Sequence, residues 1–223
     1  MENRTIRVTG KGMLKVHPDT TRLTLSISGI YPKYQEALKK TGEDTEAIKS
    51  ALIPLSFSGS DLKTLNFNID AEYDSYRDKH NNYQRRFVGY RFNHTLKIEF
   101  LSDNALLGRV LFALGHCSAK PEIHISYTVK DPEAAKNELL RNAVADAKEK
   151  ATVLAASSGV ELAEILTIDY SWGEINFTAS PMNRPIMVEE CADSGAASMS
   201  YGIDIEPDDI NLSDTVTVVW RIK

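Results

Sequence analysis

Cysteine is scarce: Cys117 and Cys191 are the only two in the chain. Two thiols cannot build a disulfide framework, and these do not form a Cys-x-x-Cys pair. Their spacing leaves open whether they pair with each other. Long apolar runs are missing too. No stretch stays apolar for the roughly 20 residues that a membrane helix needs, so no integral membrane segment is expected. Basic charge is not in excess. The chain has 26 Lys and Arg against 31 Asp and Glu, a net charge of −5. A chain of that sign has no overall field for nucleic acid or anionic lipid. The opening residues hold no apolar leader core either, because strand alternation starts at once. A leader removed from ahead of this sequence would imply a periplasmic or secreted protein; without one, a cytoplasmic protein is expected.

What is present is an ordinary globular balance. Of 223 residues, 42% are apolar and 26% charged. That is enough for a packed core, read here as a single domain over 1–223. Ile6, Val8, Leu14 and Val16 alternate with polar residues around Gly10 and Gly12, and Leu23, Leu25 and Ile27 alternate after the turn at His17-Pro18-Asp19. From Tyr34 to Ile53 the period becomes helical, until Pro54 stops it. Leu65, Phe67 and Ile69, and then Phe87 to Phe100, read as two long strands joined by a polar connection from Tyr73 to Tyr83. Asn104 to Leu114 reads as a short buried helix ending at Gly115, and Ile123 to Val129 as a strand. Asp131-Pro132-Glu133 is a helix start, and Gly159 its end. Leu140, Ala143, Val144, Ala147, Ala151, Leu154 and Ala155 form its apolar face. A strand around Ile165 to Tyr170 follows. A long irregular loop at about 172–212 and a last strand at Val216 to Trp220 close the chain. The order ββαββαβαββ predicts an α+β fold with mainly antiparallel sheet, three helices, and one long helix packed on the sheet.

A phosphate loop needs a helix after its glycines, but Gly10 and Gly12 are followed by more strand and a proline turn, so they read as structural. His116 and Cys117 are adjacent on a helix and point about 100° apart, so they cannot act as a base–nucleophile pair. Cys117 reads as a buried thiol. Cys191 lies among Glu189, Glu190 and Asp193, which discourage a reactive thiolate. His116, Cys117 and His124 match no metal-ligand spacing. Asp204 to Asp209 opens like a calcium loop, but Asp209 stands where glycine is required and Thr215 where glutamate is. Tyr76 to His80 with Arg85 and Arg86 interleaves aromatics and bases, but acids sit among them, so nucleic acid is not expected. No catalytic, cofactor-binding or metal residues are assigned, and no cofactor is expected.

Four stretches in order carry a resemblance. They are Val8-Thr-Gly-Lys-Gly12 with Val16-His-Pro-Asp19; Val88-Gly-Tyr90 with Asn93 and Leu96; the helix Glu138 to Gly159 with Ala143-Val-Ala-Asp-Ala-Lys148; and Ile205-Glu-Pro207 with Val216-Thr-Val-Val219. Together they resemble the SIMPL domain family over nearly the whole chain. Two departures are visible: Thr21 where alanine is common, and Asp208 where glycine is usual. The resemblance implies an envelope or secreted location for bacterial members, rings in some, and links to oxidative-stress defence. Animal members are tied to kinase signalling. It supplies no catalytic residues.

The reading that follows is a non-catalytic protein that forms homo-oligomers, with no nucleic acid and a protein partner unknown. Tyr73, Tyr76 and Tyr83 are the candidate self-association residues, because a connection between long strands projects and aromatics make efficient contacts. The alternative is a small-molecule binder or an undescribed enzyme using a cleft under the 172–212 loop.

Overall fold

The computed structural model describes residues 4–77, 79–170, 175–179 and 205–223. The elements are β1 (Thr5–Val16), β2 (Thr20–Tyr31), α1 (Tyr34–Leu52), β3 (Lys63–Arg77), β4 (Tyr83–Leu101), α2 (Asn104–Gly115), β5 (Glu122–Thr128), α3 (Pro132–Ser157), β6 (Leu162–Asp169) and β7 (Ile210–Ile222). This is the α+β order read from the sequence. The described residues divide into two compact units. One holds β1, α3, β6 and β7; the other spans Thr20 to Tyr127, from β2 to all but the last residue of β5, and holds α1 and α2.

In the first unit the strand order is β1-β7-β6, antiparallel throughout. Val8 of β1 and Val216, Val218 and Trp220 of β7 share the face that α3 covers. Asp131 caps α3 by accepting the Ala134 N–H at 3.0 Å. Pro132 occupies the first turn, where a missing N–H costs nothing. Gly159 follows the helix with a φ of 66°, a left-handed conformation that other residues resist. The buried residues of α3 are Leu139, Ala143, Ala147, Ala151 and Ala155. A stripe spaced by four precesses about 40° per step around a helix of 3.6 residues per turn. Val144 and Leu154 are left exposed by that drift, contrary to the face read from the sequence, and Leu139 joins it instead.

Gly10 and Gly12 lie under this helix. A Cβ on Gly10 would stand 2.1 Å from the Ala143 carbonyl oxygen and 2.4 Å from the Ala147 nitrogen. One on Gly12 would stand 2.1 Å from the Leu139 carbonyl oxygen. The glycines are a notch into which the α3 backbone settles. Asp146 adds a tie, accepting the Lys11 N–H at 2.6 Å and the Lys150 ammonium at 2.7 Å. The Lys150 bond first, then the Lys11 N–H, hold its carboxyl below the ordinary range. The last strand starts at Ile210, six residues before the alternation that marked it in the sequence, so the loop read to Leu212 stops short of it. Ile210 and Leu212 pack with Val129, Leu139 and Phe177, which the loop reading had left outside the core. The rest of that loop, 171–174 and 180–204, lies outside the described residues, and with it Cys191.

In the second unit the order is β3-β4-β2-β5. Leu23, Leu25 and Ile27 of β2 and Phe92, Leu96 and Ile98 of β4 alternate onto one face. There they meet Ala37, Ile48 and Leu52 of α1 and Leu107, Val110 and Leu114 of α2. Each such Leu or Ile, fully buried, contributes about 1.5–3 kcal/mol. Asp103 caps α2 by accepting the N–H groups of Ala105 and Leu106 at 2.8 and 3.2 Å. Cys117 is a free thiol inside this core.

Two alanine substitutions should move stability in opposite directions. Gly10→Ala pushes α3 off the sheet and should cost about 1–3 kcal/mol. Gly42→Ala, within α1 and with nothing within 4 Å of its new Cβ, should gain about 0.5–1 kcal/mol. Denaturant unfolding of both variants checks the pair.

Candidate self-association site

β3 and β4 form one hairpin, but β2 lines only part of β4. Thr20 stands opposite Leu101 and Tyr31 opposite Tyr90, where β2 ends. Beyond that point the hairpin continues from Tyr73 opposite Phe87 to Arg77 opposite Tyr83. Among the described residues no third strand pairs with this part. The polar connection expected between Tyr73 and Tyr83 is therefore mostly strand, an arm whose turn is confined to 78–82, residue 78 lying outside the described residues. Acids and serine break the apolar alternation there. In a two-stranded ribbon both faces meet water, so backbone pairing holds the strand without that alternation.

The root of the arm has its own construction. The register shifts between Glu72 and Tyr73, opposing Gly89 and Phe87, so Val88 is the extra residue of a bulge. A Cβ on Gly89 would stand 2.6 Å from the Tyr31 carbonyl oxygen, so glycine lets β4 pass the end of β2. Arg91 grips Glu72 with two bonds of 3.0 Å. That grip holds the Glu72 carboxyl below the usual carboxylate range.

Directly opposed residues of an antiparallel pair share a face. One face of the arm therefore carries Tyr73 with Phe87, Ser75 with Arg85, and Arg77 with Tyr83. The Tyr73 and Phe87 rings meet edge-on at 5.6 Å. Arg85 lies 4.9 Å from the Tyr73 ring centre, and Arg77 4.6 Å from that of Tyr83. Arg77 also donates to the Asn81 Oδ1 at 2.8 Å and to the Tyr83 hydroxyl at 2.7 Å. None of these six paired residues is acidic. The other face carries Asp74 with Arg86 and Tyr76 with Gln84. Tyr73, Tyr76 and Tyr83 are 47%, 50% and 72% exposed. The structure thus groups Tyr73 with Tyr83 and sets Tyr76 on the opposite side. Phe87, Arg77 and Arg85 belong to the Tyr73 face. The period-two spacing 83, 85, 87 is the sequence signal for that grouping.

The other constellations are occupied locally. His116 Nδ1 contacts the Phe112 carbonyl at 2.8 Å, and its neighbour Cys117 turns into the core. Asp209 holds the Lys15 ammonium at 2.9 Å and His17 Nδ1 at 3.0 Å. The Lys15 bond is the main cause, and the His17 bond the next, of a carboxyl held below its ordinary range. His94 is buried on β4 between α1 and β3. Thr45 gives its one hydroxyl proton to the Thr41 carbonyl at 2.7 Å, so it accepts from His94 Nδ1 at 3.1 Å. Nε2 lies 3.0 Å from the Thr64 hydroxyl, so both ring nitrogens have a partner, and in the neutral ring Nε2 accepts that hydroxyl's proton. Among the described residues no three His, Cys, Asp or Glu side chains gather as a metal site, and no helix is long and apolar enough to cross a membrane.

The chain matches a known family over nearly its whole length. The family model SIMPL, described as a protein of unknown function (DUF541), matches residues 6–220. A 26 kDa periplasmic immunogenic protein of Brucella melitensis is 27% identical over 218 residues, covering 98% of this chain and 84% of that protein. The protein of the same name from Brucella abortus strain S19 is 26% identical over the same shares.

Acid should act on the second unit through His94. Burial pushes its imidazole below the ordinary 6.5. As pH falls, the unfolded chain takes the proton first. Stability should therefore decline from about pH 6.5 downward until the folded value is reached, by up to about 1.4 kcal/mol per pH unit. His94→Gln removes that slope. The difference in unfolding free energy between wild type and variant, followed from about pH 7 to about pH 5, should shrink as the wild type loses its advantage.

Proposed function

The chain belongs to the SIMPL family, and from that premise we propose that it works as a non-catalytic, self-associating protein of the bacterial periplasm, with the arm as its contact. The single observation that carries the reading is the arm itself. It is a two-stranded ribbon with no third strand beside it among the described residues, carrying Tyr73, Tyr76, Tyr83 and Phe87 in the open. A lone two-stranded ribbon is marginal in water, and exposed rings on one are more stable when covered. Large rigid aromatics lose little conformational freedom on docking, which suits them to protein contacts. The compartment in this reading is taken from the names of the two Brucella relatives.

Light scattering across a concentration series tests the reading, which requires a mass that is a multiple of one chain. The two faces of the arm then separate. Tyr73→Ser with Tyr83→Ser should weaken association about 30-fold or more, the size of an aromatic hot-spot loss of about 2 kcal/mol. Tyr76→Ser, on the opposite face, should change it less than about tenfold. A mass of one chain at every concentration removes the proposal.

A further inference from the structure

In the second unit the sheet face that packs on α1 is wider than its cover. Phe67 stands opposite His94, Ile69 opposite Phe92 and Ala71 opposite Tyr90. Opposed residues share a face, so these three β3 residues lie on the side where Phe92 meets the α1 residues. β3 is the edge strand, outside β4. Phe92 on β4 is 1% exposed, whereas Phe67 is 45% exposed and Ala71 is exposed too. α1 borders this open strip with Tyr34 and Leu38, each 48% exposed. Tyr34 meets the Tyr90 ring, and Thr45 meets His94. Leu38, one turn after Tyr34, falls on the same flank of the helix.

The Tyr73 face of the arm continues the strip, because Phe87 meets Tyr90 at 5.3 Å. An exposed apolar surface of that extent marks a contact. Its two halves lie on either side of the level of Glu72. Phe67 and Arg77 are each five residues from Glu72 along β3, about 17 Å at roughly 3.3 Å per residue, so the halves match in length. They differ in charge. The arm half carries Arg77 and Arg85; the other half, with Phe67, Ala71, Tyr34 and Leu38, carries none. Two strips laid arm over arm would crowd four guanidinium groups together. Laid in reverse, each pair of arginines covers uncharged rings and aliphatic chains, and rings attract guanidinium groups. We infer that two copies pack these strips face to face about a two-fold axis at the level of Glu72, each arm covering the β3 and α1 flank of the other copy. The inference rests on the self-association reading and names the surface that receives the arm. The contact is isologous, so it closes at two copies.

The two-fold makes one pairing specific enough to test. Tyr34 is level with Ala71 through Tyr90, and Thr45 with Phe67 through His94, which puts Leu38 at about the level of Ile69. Reversal about Glu72 brings Ile69 to the level of Ser75, whose cross-strand partner is Arg85. Leu38 of one copy therefore meets Arg85 of the other. Leu38→Arg keeps a good helix former at a solvent-facing site and sets two cations against each other. It should weaken association at least about tenfold, read by light scattering or analytical ultracentrifugation. Leu38→Arg and Arg85→Glu combined in one chain should recover at least about tenfold over Leu38→Arg alone, because both contacts of the pair are then complementary. Leu38→Gln, which adds no charge, should weaken association less than Leu38→Arg, and it keeps the test sound if the arginine form melts early. If the wild type is an oligomer and Leu38→Arg keeps its mass and affinity, the reversed pairing is overturned while self-association stands. Failure of the combined chain to recover overturns it as well. A wild type that is a monomer throughout removes the underlying reading instead.

Discussion

Backbone resting on backbone, where α3 crosses β1, is the constraint on which the first unit is built. The Ala143 and Leu139 carbonyls occupy the volumes that side chains on Gly10 and Gly12 would fill. A helix that close to a sheet has no room for large residues beneath it, which is why Ala143, Ala147, Ala151 and Ala155 line its underside. Leu139, at one end of the stripe, packs instead with Val129, Phe177, Ile210 and Leu212. The same closeness brings the Asp146 carboxylate to the Lys11 N–H, a bond that a helix riding higher could not make. Small residues on both partners and one ion-dipole tie thus form a single device.

The second unit couples its core to its arm through a run of rings. Tyr34, at the start of α1, meets Tyr90 edge-on at 5.7 Å; Tyr90 meets Phe87 at 5.3 Å; Phe87 meets Tyr73 at 5.6 Å. Edge-to-face pairs have preferred geometry beyond their buried area. The arm is therefore keyed to the first turn of α1 as well as to the bulge at Val88 and the Glu72–Arg91 grip. That keying limits how the ribbon swings and holds one face in a constant aspect.

How much of this was legible in the sequence differs element by element. The role of Gly10 and Gly12 was readable because apolar alternation runs through them and no helix follows. The start of α3 was readable because Asp131 and Pro132 combine a cap with a position that tolerates a missing N–H. The family was readable from four ordered stretches. The exact face of α3 was not, because a four-residue stripe of small side chains drifts, and the larger Val144 and Leu154 attract the eye while facing water. The length of β3 was not, because a strand wet on both sides loses the pattern that advertises strands. Nor was the grouping of Tyr73 with Phe87, Arg77 and Arg85, which depends on the cross-strand register and hence on the bulge at Val88. The early start of β7 was hidden for a different reason. Ile210 and Leu212 alternate correctly, but Ser213 and Asp214 interrupt the run before Val216.

The position of β7 has a consequence for the order in which the molecule is made. It is the last strand of the chain and the central strand of its sheet, pairing Arg221 with Thr5 and Trp220 with both Ile6 and Ile165. Until β7 leaves the ribosome, β1 and β6 have no neighbour between them, and the valines that cover α3 are not yet synthesised. The second unit, by contrast, draws its one four-stranded sheet from the continuous run between β2 and β5 and can collapse early. Closing a loop of some two hundred residues carries an entropic cost that must be met before the pairing is rewarded, so strands this far apart assemble slowly. The growing chain therefore passes through a stage with one half shaped and the other an open thread with β1 at its head.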